Sequence, residues 1–531
     1  MRGVQFCGIR LTMKSRALVI VLDSVGCGHA PDAAVYGDAG ANTLGHLFER
    51  EESLSLPNLA SLGLYEILRN LNPGFPLPSP SLHPTAWFGA LREKSAGKDT
   101  TTGHWELMGA TLKKPFATFD HFPQDLVREL EQRGDVRFIG NVAASGTEIL
   151  TALGAEHVNS GHPILYTSAD SVLQIAAHED PAIFGLDRLQ SLCKLAREVL
   201  DERGIAIGRV IARPFVGDSP DNFQRTSNRH DYSLHPPVTC LNRLQAVDAE
   251  TVGIGKIADI FADSGISHSH PTISNADGMK TIDDLWSTPA SSPTFLFANL
   301  VDFDSLYGHR RNPRGYADAL MEFDHWLGGF IEEIGPDDLL IITADHGNDP
   351  YHRGTDHTRE RVPVLALNVK NQELDEDSFD KVSKLVERHL FPVNPVFFQT
   401  VFRGERPEDG WPDDFTIITA FNPIGAKRVS DADNQTLDAR LHHTLVERGL
   451  VPFRVTGASP DLRHREPGWG FSGADLKIAA ELSAHFNQEA FFRIEAGRVF
   501  IHRDASGAKW PIHLGSPTEV GGFFRDRLAG N

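Results

Sequence analysis

Cysteine is scarce in this chain. Only four of its 531 residues are Cys (Cys7, Cys27, Cys193 and Cys240), and no two stand in CxxC spacing. A thiolate zinc ribbon is excluded, and a disulfide framework does not suit a chain of this size; the thiols read as reduced, with a cytoplasmic location expected. Long apolar runs are missing as well. None approaches roughly 18 residues, and the longest near the N-terminus is Ala17–Leu22, so neither a membrane span nor a signal-peptide core is expected. Nor is there a basic excess: 51 Lys and Arg against 71 Asp and Glu leave a formal charge of −20. Such a surface repels phosphate backbones, so no nucleic-acid partner is expected. Gly and Pro together number 79, far below the roughly 25–30% of low-complexity chains. With 40% apolar and 23% charged residues, disorder does not describe the whole. What is left is an acidic multi-domain protein of the enzyme type, long enough for three to four units at about 150 residues each.

The chain has a visible organisation. Ala17–Asp23, Phe295–Asp304, Leu339–Asp345 and Val362–Leu367 are apolar throughout, as strands covered on both faces must be. Helical patterns such as Leu186–Arg203 and Tyr316–Ile334 lie between them, which predicts βαβ units and a mostly parallel, doubly wound α/β core over residues 16–114 and 232–390. Residues 115–231 interrupt that core with strand and helix patterns of their own and read as an inserted α/β cap. Residues 1–15 read as an N-terminal extension: Arg2, Arg10, Lys14 and Arg16 are the charges of the first 22 residues, with no acid among them. From 391 to 531 the composition changes. This part holds 14 of the 32 Phe and none of the seven Tyr, and its charge is −2, leaving −18 to the front. Arg403–Asp414 reads as the entry loop to a separate α+β domain, with strands at Phe415–Ala420 and Ala490–Ile501 and helices at Asp431–Arg448 and Gly473–Phe486.

Three groups of residues carry chemistry. Asp302, Asp304, His309, Asp345, His346 and His357 cluster around two of the apolar runs, and Asp23 ends the first. Sites in open α/β sheets lie at the carboxyl ends of strands. Mixed carboxylate and imidazole donors suit Mn²⁺, Zn²⁺ or Fe, and there are enough for two ions about 3.5–4 Å apart, a clamp for phosphoryl transfer. The segment Gly97–Met108 (GKDTTTGHWELM) offers hydroxyls, and a hydroxyl beside divalent metals can act as a nucleophile; residue type does not choose among Thr100, Thr101 and Thr102. Arg209, Arg213 and Arg229 lie in the insertion, where they serve equally as phosphate clamps or as solvated ion-pair partners. Gly253-Ile254-Gly255-Lys256 is too short for a phosphate loop; a tight turn after a strand accounts for it.

Together these segments are recognisable. VLDSVGCGHAPDA, NTLGHL, GKDTTTGHWELMG, ASGTEIL, YTSADSVLQIAAHE, GRVIARPFVG, RTSNRHDY, NLVDFDSLYGHRRNPRGY and ITADHGNDPYHRGTDHTRERVP occur in order. Over about residues 16–367 the chain resembles bacterial phosphopentomutases, of the alkaline phosphatase superfamily. The resemblance implies an alkaline-phosphatase-like core with an inserted cap and two Mn²⁺ ions, one held by Asp23, Thr100, Asp345 and His346, the other by Asp304, His309 and His357. It makes Thr100 the phosphoryl carrier, and Asp170, Arg213, Arg229 and, more weakly, Lys256 contacts to the sugar or its phosphate. The implied reaction interconverts α-D-ribose 1-phosphate and D-ribose 5-phosphate, and the 2-deoxyribose pair, so the expected partners are small pentose phosphates; no protein partner is indicated. A phosphatase or hydrolase on the same core is the alternative, and a front half retained only for binding is a third. The chain departs from the family after Leu367, where Asn368–Leu390 stands in place of the usual closing tail. Beyond 391, FTIITAFNP, SDADNQ, the turn Arg465–Gly468 and FNQEAFF are similar to an uncharacterised bacterial domain that usually stands alone; its function is unknown, with binding or regulation as the options. Its polar residues Asn422, Asn434, Glu466 and Gln488 are explained equally well by caps and turns.

Overall fold

The computed structural model describes residues 15–72, 84–168, 171–369, 378–404, 412–424, 429–496 and 498–512. Residues 1–14 of the N-terminal extension, Asp170, most of the predicted entry loop (405–411) and the end of the chain (513–531) lie outside the described residues. Three sheets organise the rest. The first has the strand order His268–His270, Glu250–Ile254, Thr294–Leu300, Arg16–Leu22, Leu339–Thr343, Val362–Leu367, Trp87–Leu91. The first five run parallel; Val362–Leu367 is antiparallel to both of its neighbours. Every residue from Ala17 to Leu22 and from Thr294 to Leu300 is buried, so both faces of the sheet are covered, as the unbroken apolar runs require.

Register decides what this sheet presents at its edge. Leu22 lies opposite Leu300, and Val21 opposite Thr343. The residues that follow these strands, Asp23, Asp304 and Asp345, therefore emerge at one edge. Thr294–Leu300 is shorter than its apolar run; the chain turns into a π-helix at Phe303–Gly308, a wider turn that recurs near functional sites. Of the departing segment Asn368–Leu390, the end forms a helix, Lys381–Leu390, packed on Arg16–Leu22, Thr294–Leu300 and the helix Thr100–Leu107.

The second sheet lies within Ile139–Ser233, with helix Leu186–Glu202 on its Val172–His178 and Arg209–Val216 strands. It has its own core around Leu126, Leu173, Leu189 and Val210. The chain leaves the first sheet's layer after helix Thr100–Leu107 and re-enters beside the same spot, where the Cys240 N–H donates to the Met108 carbonyl at 2.8 Å.

The third sheet, wholly antiparallel, runs Val401–Gly404, Phe453–Ala458, Arg465–Phe471, Phe415–Thr419, Phe491–Glu495, Arg498–His502, Trp510–Pro511. Its strands alternate: Ile418 and Phe491 face the helices Asp431–Glu447 and Leu476–His485, while Phe415, Ile417 and Phe492 face the aromatic segment that contains Phe391, Phe398 and Phe402. Two expectations are corrected here. Ala490–Ile501 is a hairpin of two strands, and Arg465–Gly468 is extended within a central strand. Pro and Gly favoured a turn there, but pairing with Phe453–Ala458 overrode that preference, and a Cβ on Gly468 would lie 2.7 Å from the Ile418 carbonyl oxygen. No helix among the described residues is long and apolar enough to cross a membrane.

Candidate metal centre

Asp304, His309 and His357 bring one ligand atom each within 4.8 Å of one another, and so do Asp23, Asp304 and His346. Asp304 belongs to both groups. His309 Nε2 stands 3.1 Å and His357 Nε2 3.5 Å from Asp304 Oδ2. On the other side, His346 Nε2 lies 3.5 Å from Asp23 Oδ1 and 3.3 Å from Asp345 Oδ2. The His346 and His357 rings are 4.0 Å apart, so the two groups are contiguous.

Acids and imidazoles are concentrated here. Burial and the Asp345 and Asp304 charges push the Asp23 carboxyl well above the usual carboxylate range. Burial opposes ionisation of Asp304 too, but hydrogen bonds from His309 and His357 outweigh it and hold that group well below the usual range. For His346, burial alone would favour the neutral ring; Asp345, Asp23 and Asp304 reverse this and push its pKa up to about 9. Two buried oxygens, Asp23 Oδ1 and Asp345 Oδ2, have no hydrogen-bond partner among the described residues. A divalent cation would satisfy both orphaned oxygens and the crowded charge, so the residues present fit such an ion.

Thr100 opens the helix Thr100–Leu107 at this edge. Asp99 caps the helix by accepting the Thr102 N–H at 3.0 Å, and Thr100 Oγ1 lies 3.2 Å from His346 Nε2. Thr102 is wholly buried and its hydroxyl donates to Asp99 at 2.6 Å, which removes it as a nucleophile; Thr100 stays partly open. The helix N-terminus suits an anionic group. The approach depends on Gly103, where a Cβ would lie 2.2 Å from the Asp345 carbonyl oxygen.

Several supporting residues escaped the sequence reading. Asn299 donates to Asp23 Oδ2 at 3.0 Å, and Asn348 donates to Asp304 Oδ1 at 2.8 Å. His104, fully buried on the Thr100 helix, donates from Nδ1 to the Thr100 carbonyl at 2.8 Å and stands 3.1 Å from Asp345 Oδ2 without a hydrogen bond to it. Such partners orient ligands and tune them. Glu360 ties three loops beneath the centre, accepting from Gly28 N, Thr43 N and the Thr43 and Thr358 hydroxyls. Asp302, by contrast, is not part of the centre: its carboxylate accepts the Asn275 N–H at 2.7 Å, because the π-helix turns Asp304 inward instead.

In the second sheet Arg213 donates to Gln174 Oε1 at 2.9 Å, and Arg225 reaches the buried Tyr166 hydroxyl at 3.2 Å. Burial raises the Tyr166 pKa, while the charges of Arg225, Arg213 and Arg229 oppose it. Arg225 was missed because its companions are scattered in sequence. Arg229 is also paired with Asp231, its Nε 2.7 Å from Oδ1. Lys256 is exposed just beyond Glu250–Ile254, near enough that its charge eases Asp23 downward. In the third sheet's domain, Asn422 Nδ2 donates to Glu466 Oε1 at 2.7 Å, the Asn422 N–H donates to Asn434 Oδ1 at 2.9 Å, and Gln488 Nε2 donates to the Phe421 carbonyl at 3.0 Å.

Residues 15–390 match the metalloenzyme superfamily. The chain belongs to that superfamily. Its first sheet and inserted second sheet form the alkaline-phosphatase-like α/β architecture expected of it, and divalent-metal binding goes with the membership. Residues 418–491 match a family described as a protein of unknown function, DUF3293. Among solved structures, the chain is similar to the PH0037 protein of Pyrococcus horikoshii (14% identity, TM-score 0.37, covering 71% of this chain and 98% of that one). It is also similar to the Leishmania mexicana phosphoglycerate mutase (11%, 0.37, 76% and 98%) and to the alkaline phosphatase of the Antarctic bacterium TAB5 (11%, 0.28, 71% and 99%). At these values the likenesses bear on neither activity nor substrate.

Proposed function

We propose that this metalloenzyme is a phosphopentomutase acting on α-D-ribose 1-phosphate and D-ribose 5-phosphate and on the 2-deoxyribose pair, with Thr100 as phosphoryl carrier and two Mn²⁺ ions as cofactors. The observation that carries the reading is Thr100 itself: a partly open hydroxyl at a helix N-terminus, 3.2 Å from His346, beside carboxylates with orphaned oxygens. The segments that resemble phosphopentomutases, in the insertion as well as the core, support the choice of substrate. Asp23, Asp345 and His346 with Thr100 would hold one ion, and Asp304, His309 and His357 the other. When bound, the ions would spread the charge of the transferring group and lower the Thr100 hydroxyl's pKa.

Phosphorylated Thr100 donates its phosphoryl group to the free hydroxyl of the sugar monophosphate. The P–O bond to Thr100 breaks as the new P–O bond forms, giving a bisphosphate. The bisphosphate turns round and returns its other phosphate to Thr100. Arg213, Arg225 and Arg229 supply charge to hold the phosphate that is not transferring, and Asp170 and Lys256 complete the proposed sugar and phosphate contacts. A cap that excludes water would favour transfer over hydrolysis. Conversion of ribose 1-phosphate with Mn²⁺ by the Thr100→Ala variant tests this; undiminished turnover would sink it. The open side of Thr100 also suits water, which favours a phosphatase as the second reading. Phosphate release faster than isomerisation would decide for it.

A further inference from the structure

We propose that Arg311 is the positioning residue that assembles the His309 and His357 ligand group. The inference rests on the metal centre and not on the choice of substrate. His309 follows the π-helix Phe303–Gly308, whereas His357 lies on the loop between Leu339–Thr343 and Val362–Leu367; the two loops share no strand. Their side chains nevertheless meet, with the two Nε2 atoms 3.1 Å apart. Arg311 supplies the joint. It sits at a positive φ of 51°, and its side chain spans the gap. On one side Nη1 donates to the Gly308 carbonyl at 2.9 Å. On the other, Nε donates to the Gly354 carbonyl and Nη2 to the Asp356 carbonyl at 3.3 Å. Nη1 also donates to Asn348 Oδ1, and Asn348 in turn donates to Asp304 at 2.8 Å.

One planar group thus reaches the loops of His309 and His357 and the partner of Asp304, the residue both ligand groups share. Only a guanidinium has enough donors in a rigid fork for this. The loops are joined a second time at His309, whose Nδ1 faces the Thr355 carbonyl at 2.6 Å. A carbonyl only accepts, so Nδ1 carries a proton, and Nε2, which here faces Asp304, is the ring atom that would ligate an ion. Arg311 itself touches none of the predicted ligand atoms, so its effect is on where those atoms stand.

Isothermal titration of the full chain with Mn²⁺ after chelator stripping tests the proposal. Wild type is expected to show two sites. Arg311→Ala should weaken one of them roughly ten- to a hundredfold, the range for loss of an orienting partner, and leave the other within about twofold. His309→Ala should remove that same site, and Asp23→Asn the other. Arg311→Lys keeps the charge but not the fork, and should weaken the same site; it carries the test if the alanine variant fails to fold. Melting of the metal-free proteins separates positioning from general support, because a residue needed only for folding would lower the melting temperature and weaken both sites together. Two sites of unchanged affinity in Arg311→Lys and in any folded Arg311→Ala would overturn the proposal and leave the metal centre standing. A wild type that binds no divalent ion would overturn both.

Discussion

At the edge of the first sheet, Asp23, Asp304 and Asp345 crowd together with two buried oxygens that make no hydrogen bond among the described residues, whereas in the C-terminal domain Asn422, Asn434 and Glu466 hold one another. Both clusters drew notice as polar residues in sequence. The difference lies in what each leaves undone. Asn434 is buried, yet it accepts from the Asn422 N–H and donates back to Asn422 at 3.2 Å, so the pair locks a loop onto the start of helix Asp431–Glu447. Its hydrogen bonds are spent on the protein. The core cluster keeps charge and lone pairs free at a cost to the apo fold, which is the mark of a site that awaits a cation.

Four measurements press on that contrast. The largest effect belongs to Asp345→Asn, which removes the buried charge of a proposed ligand: Mn²⁺ affinity at one site should fall by more than about a hundredfold in a calorimetric titration. Unchanged binding would mean that Asp345 is structural, like its counterparts in the tail. Next, adding Mn²⁺ to the stripped protein at about a hundred times its Kd should stabilise the front part by roughly 2.7 kcal/mol per site. Differential scanning calorimetry should show this in a transition of residues 15–390, with any separate transition of the C-terminal domain unmoved. Gly103→Ala comes third. Its Cβ would drive the Thr100 helix off Asp345, at a cost of about 1–3 kcal/mol in denaturant unfolding and with weaker metal binding. Smallest is Asn434→Ala, which strands the Asn422 N–H; about 1–2 kcal/mol of tail stability should go, with Mn²⁺ affinity and turnover intact. A loss of turnover there would make the two regions less independent than their hydrogen bonds imply.

Much of the core was legible because its signals are local. Ala17–Leu22 is an unbroken apolar run, and only a strand buried on both faces uses such a run. Acids and histidines at the ends of such runs marked Asp23, Asp304, His309, Asp345, His346 and His357. Where local signals misled, a partner distant in sequence had the deciding influence. Asp302 looked as eligible as Asp304 until the π-helix set one inward and tied the other to Asn275. Pro467 and Gly468 spelled a turn until neighbouring strands took them. Asn299 gave no signal at all, since it lies 276 residues from the Asp23 it orients; Asn348 stands 44 from Asp304, and Arg311 43 from the Gly354 carbonyl.

Which segments are buried strands, where the acids fall on them, and that residues 391–531 differ in composition from the acidic front can all be read along the chain. Hydrophobic patterning suffices for that, because burial of a segment depends on its own side chains. Only the tertiary structure decided that Leu22 faces Leu300 and Val21 faces Thr343, and so that three aspartates far apart in the chain share one edge. It also decided which buried oxygens find donors and which do not. Satisfaction of a polar group is a property of pairs of atoms in space, and no single residue's chemistry carries it.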